Sequence, residues 1–398
     1  MKKLLGGLLW LFFFFPLLHP QELPPPPQSR SGNIVGDIGI QKIPFTLFGH
    51  KICLKIRINE SRELDFVLDT GALTAVDREI ARELGLEEGL ALPSITKSGK
   101  ASLSRRPVTF RIGGLTVEDF IPVIADLPEK GEGDPPLDGF IGADILRFFC
   151  VILDYDAGEI IVSTTPPQSQ PSHRPLSMRK QMPMGFPLID GLVNETKKIP
   201  MMIDTGSPFL VVCPLTLVEN EKIFSYSTII KSFGTFMTWP GTTAKCNYRA
   251  RAETLRIGDF VIKNLTVDFA ELPGPFSFSL LGYGFLKHFV TILDFPRDTL
   301  VLVPKSGGFP EATGSSGMAA RKQEGRLIVR GIWPGSPADR CGIRVGDEIV
   351  RINGKNAVQL SRREIEGFFS GDISEGLEIE LAAGEGIKKL RLKISQHP

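Results

Sequence analysis

The chain repeats one plan twice, and each copy is built around the same short motif. An apolar run leads into Asp-Thr-Gly in both copies, as FVLDTGA at residues 66–72 and as MMIDTGSP at residues 201–208. Each copy continues with a strand-like segment (VTFRIGG or ETLRIGD), then a glycine-ended FIG or LLG, then an apolar ILD, in the same order. Because a repeat of this length indicates a duplicated structural unit, we predict two lobes of equal plan.

The segments inside each copy indicate a mainly β fold. Runs such as KICLKIRI, ELDFVLD and CVILDY are short, rich in Ile, Val and Phe, and bounded by Gly, Asp and Pro. Helical periodicity is confined to VDREIARELGL (residues 76–86) and to GADILRFF (residues 142–149), which has a shorter counterpart in the second copy.

Two breaks in the pattern set the domain boundaries. TTPPQSQPSHRP at residues 164–175 and PKSGGFPEATGSSG at residues 304–317 have the prolines and small polar residues of exposed connections. We therefore place the first lobe at residues 31–165, the second at residues 176–305, and a further module at residues 317–398.

Residues 1–30 indicate export. They begin MKKLLGGLLWLFFFFPLLHP, in which Lys2 and Lys3 precede an apolar stretch that ends at Leu18, and a Pro-rich linker follows. The stretch is shorter than the roughly 20 residues of a spanning helix. No small-x-small cleavage site follows it, so a cleaved signal peptide and a retained membrane tether both stay open. Either places the protein in the periplasm or on the outer side of a membrane.

Charge and cysteine content exclude several classes of function. The 46 basic and 45 acidic residues nearly cancel, so we expect no nucleic-acid partner. The five cysteines are scattered without the close pairs of zinc or redox sites, so we expect no metal and no cofactor. Burial as small apolar side chains and disulfide pairing within a lobe both stay open for them.

The two triplets predict a pair of carboxylates that act together. An ionised Asp at the end of an apolar strand is costly to bury unless local groups satisfy it. Gly71 and Gly206 allow backbone N–H groups to approach the carboxylates of Asp69 and Asp204. If the lobes face each other, the two carboxylates share one proton, and such a pair can activate a water molecule.

The residues beside each Asp and Gly support the same interpretation. Thr70 and Thr205 supply hydroxyls that can hold the turn to neighbouring backbone. Ser207 can hydrogen-bond its carboxylate, whereas Ala72 in the other copy cannot. We therefore expect the two carboxyl groups to differ in their electrostatic surroundings.

These motifs resemble those of aspartic peptidases, in particular the retropepsin-like bacterial group, over roughly residues 35–305. That resemblance implies hydrolysis of peptide bonds by a water molecule activated by the two Asp residues, without a metal or a covalent intermediate. It also implies that an apolar-apolar-Gly segment packs beside each catalytic loop; the candidates are Phe140, Ile141 and Gly142, and Leu280, Leu281 and Gly282.

The lobes contain two further candidate features. The resemblance implies a hairpin flap over the substrate, for which TKSGKAS (residues 96–102) and KSFGTF (residues 231–236) are glycine-bearing candidates without a tyrosine. An ordinary hairpin turn is an equal alternative for both. The aspartates of the ILD segments, Asp154 and Asp294, precede turn-rich sequence, and we expect them to cap strand ends.

The C-terminal module resembles a bacterial PDZ domain, a small β-barrel with a helix, chiefly through PGSPADRCGIRVGDEIVRINGK at residues 334–355. The resemblance implies that it binds the C-termini of peptide substrates or partners as an added strand. The carboxylate would be held by Gly317, Met318 and Ala319, although Ser316 departs from the apolar residue expected there. Residues 361–369 should form the helix beside the groove.

The chain lacks the sequence motifs of other protease classes. There is no Gly-x-Ser-x-Gly nucleophile loop and no His-Glu-x-x-His. We expect His50, His173 and His288 to be surface or packing residues without partners. The sequence therefore predicts an exported aspartic endopeptidase with a PDZ module, and the alternative is a non-catalytic scaffold that only binds peptides.

Overall fold

The computed structural model describes residues 32–36, 39–93, 100–127, 137–168, 170, 173–181, 184–216, 224, 228–238, 245–271, 278–306, 309, 315–369, 376–384 and 386–394. It is built mostly of strands in several sheets, which confirms the predicted fold class. The predicted export segment at residues 1–30 lies outside the described residues. Within them, no helix has the length and apolar character needed to cross a membrane.

The first repeat forms fourteen of the described strands. They are β1 Asn33–Val35, β2 Ile40–Pro44, β3 Thr46–Phe48, β4 Lys51–Ile58, β5 Leu64–Asp69, β6 Ala75–Asp77, β7 Glu88–Pro93, β8 Lys100–Ser104, β9 Val108–Ile112, β10 Leu115–Phe120, β11 Val123–Ala125, β12 Gly139–Gly142, β13 Cys150–Asp154 and β14 Glu159–Ser163.

The second repeat follows a similar order. Its strands are β15 Pro175–Ser177, β16 Arg179–Gln181, β17 Phe186–Val193, β18 Lys197–Ile203, β19 Val211–Pro214, β20 Ile230–Lys231, β21 Phe233–Gly234, β22 Met237–Thr238, β23 Lys245–Ile257, β24 Phe260–Ala270, β25 Ser279–Leu281, β26 Phe289–Asp294 and β27 Thr299–Pro304.

The C-terminal module and the helices complete the fold. The module's strands are β28 Met318–Gln323, β29 Arg326–Ile332, β30 Glu348–Ile352, β31 Lys355–Asn356, β32 Leu377–Ala383 and β33 Gly386–Leu392. The α-helices are α1 Arg78–Glu83, α2 Ala143–Leu146, α3 Tyr283–Leu286, α4 Pro337–Arg340 and α5 Arg362–Phe369.

The two lobes have matching sheets. The first-lobe sheet has the order β1-β10-β9-β4-β5-β12-β6-β11-β8-β7, with β3 beside β4. The second-lobe sheet has the order β16-β17-β18-β25-β19-β24-β23-β20, and pairing of β17 with β23 closes it. Strand residues alternate between core and surface, as in β9, where Val108, Phe110 and Ile112 are buried, because successive side chains of a strand point to opposite faces.

A third sheet joins the lobes. Its order is β15-β27-β26-β13-β14-β2, and its central pair is β13 of the first lobe against β26 of the second. The ILD aspartates end these two strands. Asp154 accepts hydrogen bonds from the N–H groups of Asp156 and Ala157 at 3.0 and 3.4 Å, and Asp294 forms an ion pair with Arg297 at 3.1 Å. Asp154 thus caps its strand end as predicted.

The C-terminal module does not stand apart from the lobes, although residues 304–317 before it have the composition of an exposed connection. Its sheet has the order β21-β29-β30-β32-β33, so the short strand β21 of the second lobe belongs to it. The module also has its own apolar core, which includes Leu327, Ile349, Leu377 and Ile379. The lobes instead share one large core cluster.

The helices occur where periodicity predicted them but are shorter. Asp77 caps the N-terminus of α1 by accepting a hydrogen bond from the Glu79 N–H at 2.9 Å, and Gly85 follows the helix in a left-handed conformation (φ 66°). Residues 75–77, the first of them just before the predicted helix, form β6. In the module, α5 buries Ile365 and Phe369 against the core, as predicted.

The cysteines are not paired in the described part of the chain. Cys53, Cys150 and Cys213 are free and buried, and Cys341 is free and half-buried. Burial raises the pKa of the Cys53 thiol to about 11 and that of Cys213 to about 12, so both remain protonated and unreactive at neutral pH. The side chain of Cys246 lies outside the described residues.

Candidate active site

Asp69 and Asp204 come together at the junction of the lobes. Asp69 ends β5, and Asp204 directly follows β18. Each carboxylate accepts a hydrogen bond at 2.9 Å from the backbone N–H two residues later, from Gly71 and from Gly206 respectively. The two carboxyl groups also hydrogen-bond to each other. A pair so close must share a proton, because two adjacent buried negative charges repel strongly.

The glycines of the triplets are required by the packing of one loop against the other. A Cβ atom added at Gly71 would lie 2.8 Å from Cγ of Asp204, and one added at Gly206 would overlap the Asp69 carboxylate. Only glycine allows each turn to approach the opposite carboxyl group this closely. Each glycine is therefore needed both for its own turn and for the carboxyl group of the opposite lobe.

The threonines of the triplets tie the lobes together reciprocally. Thr70 Oγ1 donates to the Ile203 carbonyl at 2.6 Å, and Thr205 Oγ1 donates to the Leu68 carbonyl at 2.9 Å. Each hydroxyl also accepts a hydrogen bond at 3.1 Å from the backbone N–H of the other threonine. The sequence predicted bonds to neighbouring backbone, whereas the structure shows bonds to the opposite lobe. Four hydrogen bonds in a fully buried position hold the two loops in fixed register.

The surroundings of the two carboxyl groups differ. Burial raises the pKa of Asp204 well above its usual range, and the negative charge of Asp69 raises it further. Burial also raises the pKa of Asp69, but the positive charge of Lys51 opposes that rise. Asp204 is 5% exposed, whereas Asp69 is half-buried. The causes that raise the pKa are therefore stronger at Asp204, which favours Asp204 as the group that carries the shared proton.

The apolar-apolar-Gly segments lie where the resemblance implied. β12 runs parallel to β5 with Gly142 opposite Asp69, and β25 runs parallel to β18 with Leu281 opposite Ile203. The Leu281 carbonyl accepts the Asp204 N–H at 3.0 Å. These strands therefore hold both loops in position.

Ser207 does not make the predicted contact. Its Oγ is buried and has no hydrogen-bond partner among the described residues. Its backbone N–H, rather than its hydroxyl, acts on Asp204 and lowers the pKa of that carboxyl. The asymmetry of the pair therefore comes from burial and Lys51 and not from this hydroxyl.

His50 corrects a second expectation, because it has a partner in the site. It is 8% exposed, and its Nε2 lies 3.1 Å from the carbonyl oxygen of Gly206 in the other lobe. Because a carbonyl only accepts, Nε2 carries the proton. Nothing in the sequence around this histidine indicated the contact. By contrast, His288 packs on Phe309 with ring centroids 4.6 Å apart, as a packing residue should.

Asp144 is a supporting residue that sequence reasoning missed. Its Oδ1 accepts hydrogen bonds from the Thr74 N–H at 2.8 Å and the Thr74 hydroxyl at 2.7 Å, and the same hydroxyl accepts the Gly142 N–H at 3.0 Å. This network anchors the segment after the first triplet. The second repeat has Gly284 where the first has Asp144, so the difference between FIGAD and LLGYG was the available signal.

The two flap candidates have different outcomes. Of the first, at residues 96–102, residues 96–99 lie outside the described residues, and the last three belong to β8. The second, at residues 231–236, is not a turn over the junction of the lobes. Its Phe233 and Gly234 form β21 and pair with β29 of the C-terminal module. The interpretation of this segment as a flap was wrong, because the segment pairs with a strand that is distant in sequence.

The proposed carboxylate loop of the module is engaged in local hydrogen bonds. The N–H groups of Gly317 and Met318 donate to the hydroxyls of Ser315 and Ser316 at 3.2 and 3.4 Å. Ala319 lies in β28, which pairs with β29. The described sheet has no strand on the other edge of β28, so an extended peptide can be added there. Its carboxylate would replace long bonds to hydroxyls with stronger charge-assisted ones.

No group of three or more His, Cys, Asp or Glu side chains in the described residues is arranged to hold a metal ion.

Comparison with known proteins finds two family matches, one in the first lobe and one in the C-terminal module. Residues 54–145 match the family model described as "Aspartyl protease", and residues 328–372 match the one described as "PDZ domain". A curated relative, the carboxy-terminal processing protease CtpA of Bacillus subtilis (strain 168), is 27% identical over 115 residues, or 28% of this chain. The match spans a quarter of that relative's length (25%). Among solved structures, basic 7S globulin from soybean aligns with a TM-score of 0.40 and 11% identity over 70% of this chain and 96% of its own.

Proposed function

We propose that this chain, which combines an aspartyl-protease-like region with a PDZ domain, is an exported endopeptidase that hydrolyses peptide bonds with Asp69 and Asp204. The observation that carries the proposal is the hydrogen-bonded carboxyl pair braced by Gly71 and Gly206. Two carboxyl groups in contact, one buried and one half-buried, are costly for folding, and a site that only bound peptides would not require them. Aspartic-type proteolysis uses both groups.

The reaction follows from the position of the shared proton. A water molecule held between the carboxyl groups attacks the scissile carbonyl carbon as Asp69 takes its proton, while Asp204 gives its proton to the carbonyl oxygen. The gem-diol intermediate then collapses. The proton on Asp69 passes to the leaving nitrogen as the C–N bond breaks, and a hydroxyl of the intermediate returns a proton to Asp204.

The groups around the dyad hold the two carboxyl groups in the arrangement that the reaction requires. The threonine bonds fix the distance between the loops, so little rearrangement is needed when the substrate arrives. The Gly71 and Gly206 N–H groups orient one oxygen of each carboxyl group and leave the other for water or substrate. His50 holds the Gly206 turn from the first lobe and so acts as a positioning residue.

The N-terminal segment and the PDZ domain determine where the protein acts and which proteins it binds. The N-terminal segment directs the chain out of the cytoplasm, as a cleaved signal or as a tether. The PDZ domain binds the C-termini of protein substrates or partners on β28. Substrates are therefore unfolded or extended segments of other exported proteins, because an extended peptide fits a cleft between two lobes.

The test is cleavage of an unfolded protein by the full chain and by Asp69→Asn and Asp204→Asn variants, from acid to neutral pH. Each variant should lose nearly all activity, because the water then lacks a base or the carbonyl lacks an acid. A statine-type transition-state mimic should inhibit the wild type, and a chelator should not.

Asp119→Asn is the matched control. Asp119 is exposed in the first lobe with φ 55°, a conformation that asparagine adopts easily, so the variant should retain full activity. Substantial hydrolysis by Asp69→Asn or Asp204→Asn, with folding verified by circular dichroism, would refute the dyad. Inhibition by the chelator would point to a different mechanism.

A further inference from the structure

The PDZ domain and the second lobe share a strand-to-strand junction. In β21, Phe233 lies opposite Ile332 and Gly234 lies opposite Gly331 of β29. The next residue continues the contact, since the Thr235 N–H donates to the Arg330 carbonyl at 2.8 Å. The junction leaves the peptide-binding edge of β28 open.

A glycine on each side permits this approach. A Cβ atom added at Gly331 would lie 2.8 Å from Cα of Phe236 and 2.9 Å from its N, which are main-chain atoms that cannot rotate away. On the other side, Gly234 has φ +69°, and an added Cβ would overlap the Arg330 carbonyl. Main chain packs directly on main chain here, a fit that tolerates no added side chain.

Trp333 is the centre of the junction. Its side chain is fully buried, the Phe236 ring lies with its centroid 4.8 Å away, and the Arg249 guanidinium lies 4.3 Å from its ring centroid. The Trp333 backbone N–H donates to the Gly317 carbonyl at 2.8 Å. One residue of the PDZ domain therefore contacts both its peptide-binding loop and the second lobe.

From Trp333 a chain of contacts leads to the dyad. Arg249 forms an ion pair with Asp268 at 2.9 Å, with side chains only 13% and 9% exposed. Asp268 lies in β24 opposite Val212 of β19, and Val212 lies opposite Leu280 of the LLG segment. That segment holds the Asp204 loop. Buried charge pairs keep their geometry because breaking them leaves an uncompensated charge.

We propose that Trp333 is a positioning residue through which the PDZ domain braces the wall of the second lobe that carries Asp204. The PDZ domain then contributes to cleavage of every substrate, including those without a free C-terminus, and is more than a means of delivery. This inference rests on the proposed function.

The experiment opens the junction without altering the dyad. Gly331→Ala adds one methyl group against the Phe236 backbone, and Gly367→Ala is the matched control, because an added Cβ there meets nothing within 4 Å. Both variants are made in the full chain. The substrate is a short quenched-fluorescence peptide with an amidated C-terminus, which the PDZ loop cannot hold by a carboxylate. Amide hydrogen exchange at Thr235 reports the junction independently of activity.

We expect Gly331→Ala to lose the protection of the Thr235 amide and to lower kcat/KM by about tenfold, the usual size of coupling through a packed network. Gly367→Ala should match the wild type in both measurements. Normal Thr235 exchange protection in Gly331→Ala, or lost protection with unchanged kcat/KM, overturns the inference while leaving the proposed function intact. Absence of any Asp69-dependent cleavage by the wild type overturns both.

A second pair of variants separates positioning from simple loss of fold. Trp333→Phe keeps an aromatic ring against Phe236 and Arg249, and Trp333→Ala removes it. Trp333→Phe should restore most of the kcat lost in Trp333→Ala, with KM for the amidated peptide unchanged, because the brace acts on Asp204 and not on substrate binding. Equal kcat in the two variants and the wild type would overturn the role of Trp333.

Discussion

Replacing Asp204 with Asn should change how the stability of the protein depends on pH. If the shared proton lies on Asp204, the folded protein retains it at pH values where an unfolded Asp has lost it, because burial and the charge of Asp69 raise the pKa of Asp204. In that range the folded state binds more protons than the unfolded state, so the free energy of unfolding falls as pH rises. The contribution is complete below the unfolded pKa of about 3.9 and is lost as pH rises through the raised folded pKa.

The size of the effect follows from one proton. A difference of one bound proton lowers the free energy of unfolding by about 1.4 kcal/mol per pH unit. For a folding unit the size of the two lobes together, this change in the free energy of unfolding corresponds to a fall in Tm of about 3 °C per pH unit. Asp204→Asn removes this contribution and leaves only the smaller one from Asp69, whose pKa burial also raises while Lys51 opposes it.

Thermal unfolding followed by circular dichroism, at constant ionic strength from acid to neutral pH, measures the effect. Other carboxylates act in the opposite direction: Arg179 holds the pKa of Asp190 at about 2, so that pair adds stability as pH rises. The informative quantity is therefore the Tm of Asp204→Asn minus that of the wild type. It should increase with pH and then level off, and it should stay flat for Asp119→Asn. A flat difference for Asp204→Asn would refute the assignment of the shared proton.

Two more variants test the electrostatics and the threonine bonds. Lys51→Met should move the acid limb of the kcat/KM profile to higher pH, since the positive charge of Lys51 lowers the pKa of Asp69 and the base must be ionised; a limb at unchanged or lower pH would contradict this. Thr70→Ala should lower the free energy of unfolding by about 2–3 kcal/mol through the loss of two buried hydrogen bonds, as measured by urea unfolding, and Thr70→Ser should recover most of it.

The sequence predicted those parts of the site that depend on close backbone approach. Such approach restricts a position to glycine, and glycine at fixed spacing is visible in a sequence. Gly71 and Gly206 are required by the opposite carboxyl groups, and an added Cβ at Gly142 would overlap the Ala72 carbonyl. The motif and its support were therefore recognisable together, and so was the duplication that pairs them.

Contacts between segments distant in sequence could not be predicted. β21 is two residues long, too short for any periodicity, and its partner strand lies in another domain. KSFGTF contains the glycine of a turn, and only the position of Gly331 shows that this glycine serves the junction instead. The predictions for the His50 and Ser207 side chains were wrong for a related reason. The direction of each side chain depends on the neighbouring lobe, which the local sequence does not describe.

Because the sheet joins the two lobes within one chain, the residues of one lobe can differ from those of the other. Three of its strands come from each repeat, and they meet only where β13 pairs with β26, with Ile152 opposite Ile292. A symmetric dimer of one lobe could be held by such a pair, but every surface change would then occur twice. In the fused chain, Asp144 anchors the segment after the first triplet, and in the described part of the chain the PDZ domain pairs with a strand of the second repeat. The two sides of a nearly symmetric site are thus supported by different parts of the chain.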